Sequence, residues 1–412
     1  MKYVVIGASA AGINGITAIR GHDKDGEIVL ISEDDAIYSR CILHHYLSGE
    51  RDEKALDFTT ENFISENRVN WKRGVRAVQV DCGAKKVFLS GGSSESYDKL
   101  LIASGASTFF PPVKGMFNED KTLAGGIYGL RTFADAKAIK AAAKKASGIA
   151  ILGAGLIGID AASGLLQYGK PITIIESCPN MLPSQLDGEA AAPYQKKFAE
   201  MGGRQYYGVK AEEITRGGDG TVNGVRLSSG EQIACDMLIC CTGVRANTGF
   251  LEGSGLKMDA KGLVYNDRGE TSESDVYGAG DVSGKNPIWP LAVKEGIVAG
   301  GNMAGGEETL DSFFASKSAI VFWGIKTLSL GTHTPAGPGY STETEKDTGS
   351  YKKIIHKDGK IYGAIIQGDV SYAGVLTRLI AEKIDVSRVK KPLFKIDYSD
   401  FFALNENFEF TY

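Results

Sequence analysis

The chain has no CxxC pair, no regular cysteine framework and no run of lysine or arginine. Its six cysteines (Cys41, Cys82, Cys178, Cys235, Cys240 and Cys241) are scattered. That spacing offers no iron–sulfur cluster, no metal site and no disulfide scaffold, and it suits a reducing cytoplasm. With 46 basic against 50 acidic residues the net charge is −4, and no basic stripe marks a nucleic-acid surface. No apolar stretch reaches the ~18 residues a membrane helix needs. The opening MKYVVIGASAAG enters a strand at once and is expected to leave no room for a signal peptide.

Glycine, by contrast, is abundant. There are 53 in 412 residues, well above the usual ~7%. Glycine without a collagen period means tight turns and places where backbone approaches a ligand. The length exceeds one ordinary core and implies two or three domains.

The glycines cluster in a repeated device. Tyr3–Ile6 reads as a strand, Gly7-Ala8-Ser9-Ala10-Ala11-Gly12 as a turn opening a helix, and Ile28–Ile31 as the next strand, ending near Glu33. A helix N-terminus after a glycine turn offers free N–H groups to a pyrophosphate, and an acid about 20 residues on suits a ribose. The device returns as Ile149–Leu152, then Gly153-Ala154-Gly155-Leu156-Ile157-Gly158, then Pro171–Ile175 closed by Glu176. Glu33 follows Gly7 by 26 residues and Glu176 follows Gly153 by 23. Two copies, each between strands and each closed by an acid, predict two dinucleotide sites. A second echo joins Tyr97–Ala106, ending Ala103-Ser104-Gly105, to Cys235–Val244, ending Thr242-Gly243. Both are apolar strands with small residues where a ligand passes the backbone.

With GLRTFADA, TGVRANT and Val276-Tyr277-Gly278-Ala279-Gly280-Asp281, these motifs resemble the FAD-dependent pyridine nucleotide-disulfide oxidoreductases over about residues 1–370. The nearest branches are rubredoxin reductase, the flavin domain of nitrite reductase and NADH oxidase. The resemblance implies an α/β protein with two Rossmann-like domains and a small C-terminal α+β interface domain. FAD would occupy 1–115 with 244–309, NAD(H) 116–243, and the interface domain 310–412. It implies that Gly7, Ser9, Ala10, Ala11, Gly12, Glu33, Arg40, Ala77, Ala103, Ser104, Gly105, Arg131, Gly280, Asp281, Leu291 and Ala292 contact FAD. Gly153, Gly155, Leu156, Ile157, Gly158, Glu176, Thr242 and Gly243 would serve the nicotinamide nucleotide. NADH is favoured over NADPH, because a carboxylate at 176 repels a 2′-phosphate.

The segment Ala36–Glu50, AIYSRCILHHYLSGE, mixes two branches. Relatives working on carrier proteins have proline where Cys41 stands and lysine where His45 stands; thiol-dependent NADH oxidases have a cysteine matching Cys41. Cys41 is therefore either a wall of the flavin pocket or a redox thiol. The family lysine pairs with a glutamate at the place of Asp160, so His45 and Asp160 are expected to form the equivalent pair, with His44 pointing elsewhere.

From Leu310 short strands predominate: Ser318–Phe322, Lys326–Leu330, Tyr351–His356 and Lys360–Gln367. A helix Tyr372–Ile384 follows, and then an aromatic tail (Phe394, Tyr398, Phe401, Phe402, Phe408, Phe410, Tyr412). The tail suits a contact surface in a homodimer or hetero-oligomer. The function expected is hydride transfer from NADH to FAD, then electron transfer to a protein such as rubredoxin, ferredoxin or a complex subunit. The alternatives are Cys41-dependent reduction of oxygen, peroxide or a disulfide (coenzyme A disulfide among them), and an FAD-binding electron-conduit subunit.

Overall fold

The computed structural model describes residues 1–310, 317–371, 373–401, 403–404, 406–407 and 410–411. Tyr372, Phe402, Phe408 and Tyr412, named above in the last helix and the tail, lie outside the described residues.

Two five-stranded parallel sheets share one plan. The first runs Val276–Gly278, Lys99–Ile102, Lys2–Ile6, Glu27–Ser32, Val69–Arg73; the second runs Arg204–Tyr207, Ile172–Glu176, Ile149–Leu152, Met237–Cys240, Ile127–Gly129. Their central strands are buried on both faces, as helices on either side of a parallel sheet require, which explains their unbroken Val/Ile/Leu runs. In each sheet the glycine turn leaves the central strand and opens a helix, Ala10–His22 in the first and Leu156–Leu165 in the second. The first sheet is completed only by Val276–Gly278, after the chain has built the whole second sheet. Trp289–Met303 then packs along Ala10–His22, small residues facing small residues.

The short helix Leu43–Leu47 follows the first lobe in sequence but packs with the second. Leu43 and Leu47 join Phe133, Ala161, Ala162 and Leu165 in one core. Each fully buried leucine contributes about 2 kcal/mol. Its last carbonyls are met from the second lobe. Gln167 Nε2 donates to Leu47 O at 2.7 Å, Tyr168 Oη to the same oxygen at 3.0 Å, and Lys140 Nζ to Tyr46 O at 2.6 Å.

The C-terminal sheet is antiparallel, in the order Lys317–Phe322, Ile325–Gly331, Lys360–Gln367, Ser350–Lys357, Ser341–Asp347. Ala373–Ala381 covers one face. The other face docks on the second lobe at Gly188–Glu200. Lys353 Nζ lies 2.8 Å from Asp187 Oδ2, Tyr351 Oη donates to the same oxygen, and Gln367 Nε2 donates to Ala190 O. Trp323 stacks on Phe198, centroids 5.5 Å apart. The strand Ser341–Asp347, STETEKD, is exposed along its whole length, so no alternation of apolar residues announces it in the sequence.

Candidate functional site

A cavity of about 1220 Å³ opens where the three sheets meet. Its floor is the first turn. Gly7 has φ +112°, and a Cβ there would sit 2.2 Å from Ala103 O, so only glycine lets the turn lie against the neighbouring strand. Ser9 begins the helix without a side-chain cap, which leaves first-turn N–H groups free beside Ala10 and Ala11 at the cavity wall. Glu33, Ala77, Ser104, Gly105, Ala292 and Gly280 line it as well. Gly12 lies behind the turn, and Leu291 is buried inside its helix.

Two guanidinium groups reach the cavity. Arg40 pairs with Asp34 at 2.6 Å and donates to Arg131 O; Arg131 pairs with Asp281 at 2.5 Å and donates to Ala106 O. Free helix N–H groups, close backbone and two arginines form a cradle that fits the pyrophosphate of FAD.

The second turn enters the same cavity through Leu156, Ile157 and Asp160. Gly153, with φ +102°, repeats the close approach, its Cβ position lying 2.5 Å from Cys241 O. Gly155 caps the helix, and Gly158 packs its Cα beside Gly153 O. Glu176 is buried and held by Ala154 N–H at 2.7 Å and Cys178 N–H at 2.8 Å. Thr242 Oγ1 donates to Phe109 O, and Gly243 O accepts from Phe109 N–H. These groups form a separate cluster at the end of the second sheet, outside the cavity lining, suited to a second nucleotide.

The histidine assignment is corrected. His45 Nδ1 lies 2.5 Å from Glu50 Oε2 and faces outward; His44 Nδ1 lies 3.3 Å from Asp160 Oδ1. Cys41 and His44 are three residues apart, so both turn to the cavity, whereas His45 is rotated away. His44 Nδ1 is buried without a hydrogen-bond partner, so it approaches Asp160 without the alignment of a hydrogen bond. Burial pushes the Asp160 carboxyl up to about 7, and burial with the adjacent His45 ring pushes His44 down to about 4. Cys41 is exposed to the open cavity; desolvation by the surrounding protein, and after it the charge of Asp160, push its thiol up to about 11.

Sequence reasoning did not place Asp34, His44, Asn247, Trp289 or the edge strand Lys317–Phe322 at the cavity, where all of them lie. His44 was accessible by counting three from Cys41, and Asp34 stands beside Glu33. Asn247 is placed by tertiary contact, its Nδ2 donating to Ser104 O.

Residues 1–296 match the family model for pyridine nucleotide-disulphide oxidoreductases. The chain belongs to that family. Residues 320–384 match the rubredoxin NAD+ reductase C-terminal domain. The epsilon subunit of NADH-dependent phenylglyoxylate dehydrogenase from Aromatoleum evansii is 30% identical over 94% of this chain and 93% of that one. The nitrite reductase [NAD(P)H] of Bacillus subtilis is 27% identical over 95% of this chain, which spans about half of that protein, 48%. The structure of an NAD-dependent persulfide reductase from A. fulgidus superposes with a TM-score of 0.83 at 25% identity, covering 93% of this chain and 77% of that one. The pyridine nucleotide-disulphide oxidoreductase described here is thus an FAD-dependent NAD(P)H oxidoreductase, an α/β protein with a recognised C-terminal domain. Among its described residues no helix is long and apolar enough to cross a membrane.

Proposed function

We propose that this enzyme carries electrons from NADH through FAD to a redox protein, either a rubredoxin- or ferredoxin-like carrier or a partner subunit. The observation that carries this reading is that Leu156, Ile157 and Asp160 of the second glycine motif share one cavity with Gly7–Ala11 of the first. In this reading residues 1–115 with 244–309 hold FAD, 116–243 hold NADH, and 310–412 form the interface region. FAD bound there supplies a two-electron acceptor that can release electrons singly.

The protein contributes position. The first-turn N–H groups and Arg40 hold the pyrophosphate, Glu33 the adenosine ribose, and Asp281, steered by Arg131, the ribityl chain. Glu176, already oriented by two backbone donors, accepts from the ribose 2′-hydroxyl of NADH and repels a 2′-phosphate. Leu156 and Ile157, which line the cavity, would flank the nicotinamide ring on its way to the flavin. Asp160, with its carboxyl raised to about 7, gains and releases a proton near neutrality, with His44 Nδ1 as its neighbour.

Cys41 is read as a pocket wall, because a thiol pushed up to about 11 stays protonated at neutral pH. The relatives named as a dehydrogenase subunit and a nitrite reductase support a protein acceptor. Anaerobic mixing of the yellow protein with NADH should bleach the flavin within seconds, and adding reducible rubredoxin or ferredoxin should restore its colour. Cys41→Ser should leave the rate within about twofold, since a protonated thiol contributes no nucleophile. A flavin that stays oxidised in NADH overturns the reading; loss of turnover in Cys41→Ser transfers it to a thiol mechanism.

A further inference from the structure

We propose that Glu295 and Tyr265 are a positioning pair that fixes the Gly280 peptide and thereby aims Asp281 at FAD. The inference rests on the FAD reading of the cavity, and nothing in the family resemblance assigns these two residues.

Asp281 leaves the first sheet on a short turn, Gly280–Ser283, with a single residue between that turn and the strand Val276–Gly278. Such a turn needs external support if its carboxylate is to be held in one place. Both polar groups of Gly280 receive it. Its N–H donates to Glu295 Oε2 at 2.7 Å, and its carbonyl oxygen lies 3.0 Å from Tyr265 Oη. Tyr265 Oη is in turn 2.9 Å from Glu295 Oε2, which closes a ring of three contacts. The two side chains come from different elements, Glu295 from the Trp289–Met303 helix and Tyr265 from the segment before the strand. The turn is therefore pinned between the cavity wall and the chain behind it.

Hydrogen counting sharpens the point. With Glu295 ionised, the single hydroxyl hydrogen of Tyr265 must be shared between the carboxylate and the Gly280 carbonyl. A neutral Glu295 donates to Tyr265, which donates to Gly280, and every contact then has its own hydrogen. Burial pushes the Glu295 carboxyl up, with the charge of Asp281 behind it, against the Gly280 N–H and Tyr265 hydrogen bonds and Lys285, which favour the ionised form. Neither side chain lines the cavity, so the pair acts on the cofactor only through Gly280 and Asp281.

The test is release of FAD from the holoenzyme on dilution, read as the rise of free-flavin fluorescence, with flavin-region circular dichroism of the same samples. Glu295→Ala and Tyr265→Phe should each weaken FAD retention, by about tenfold and about threefold respectively, as lost hydrogen bonds of ordinary strength require. Both should alter the flavin dichroism, while Glu295→Gln, which keeps an acceptor for Gly280 N–H, should fall between wild type and alanine. Wild-type retention and dichroism in both Glu295→Ala and Tyr265→Phe overturn the inference. So does a Tyr265→Phe protein that loses flavin only in proportion to lost folded protein. A wild-type protein that holds no FAD sinks the underlying reading instead, so the two failures are distinguishable.

Discussion

Asp160 carries the clearest pH signature. Its carboxyl is raised by burial to about 7, so the folded protein holds that proton more tightly than the unfolded chain does. The sign follows: the penalty for ionising Asp160 is absent below its unfolded value and complete above about 7, and stability falls as pH rises between them. Asp160→Asn removes that penalty. It should raise stability by about 4 kcal/mol near pH 8.5 and by less than half of that near pH 5, measured as holoenzyme thermal midpoints. An equal effect at both values would mean that the carboxyl titrates normally. The neighbouring His44 illustrates how far residue reading reaches. The sequence places a histidine–carboxylate pair at this spot, but choosing between His44 and His45 requires knowing which way a five-residue helix is rotated. Its packing against the second lobe, through Leu43 and Leu47, decides that.

The two glycine turns should fail separately. A methyl group at Gly7 meets the Ala103 carbonyl, and one at Gly153 meets the Cys241 carbonyl. Each also imposes a φ that L-residues avoid, a cost of about 1–3 kcal/mol. Gly7→Ala should therefore yield protein depleted of flavin. Gly153→Ala should stay yellow but require about tenfold more NADH for half-maximal bleaching, judged from that strain. These elements were legible because strand, turn and helix are local in sequence and each carries its own period. Ser341–Asp347 was not, since both its faces meet water and its only ordering force is the ladder to Ser350–Lys357. The strand Lys317–Phe322 was legible as a strand, but its place at the cavity was not, because that depends on how the C-terminal sheet docks.

That docking is a property of the whole molecule. Lys353 and Asp187 are largely buried, with side-chain exposures of 10% and 17%, and join the C-terminal sheet to the second lobe. Replacing Lys353 with Met leaves Asp187 with fewer donors. It should cost about 2–3 kcal/mol, slightly below a fully buried pair because Asp187 retains Ala190 N–H and Tyr351. The loss should appear as a lower thermal midpoint and as faster proteolytic release of the C-terminal sheet from the rest of the chain. Unchanged cleavage would show that apolar contacts alone hold the sheet.

The same junction has a mechanical corollary. The strand Lys317–Phe322, the roof of the cavity, is fastened to the second lobe, and the Leu43–Leu47 helix bearing His44 is clamped to that lobe by Gln167, Tyr168 and Lys140. Roof, histidine and second-motif turn thus travel as one jaw. Displacing the second lobe would therefore shift all three against the first glycine turn at once, and none of them alone.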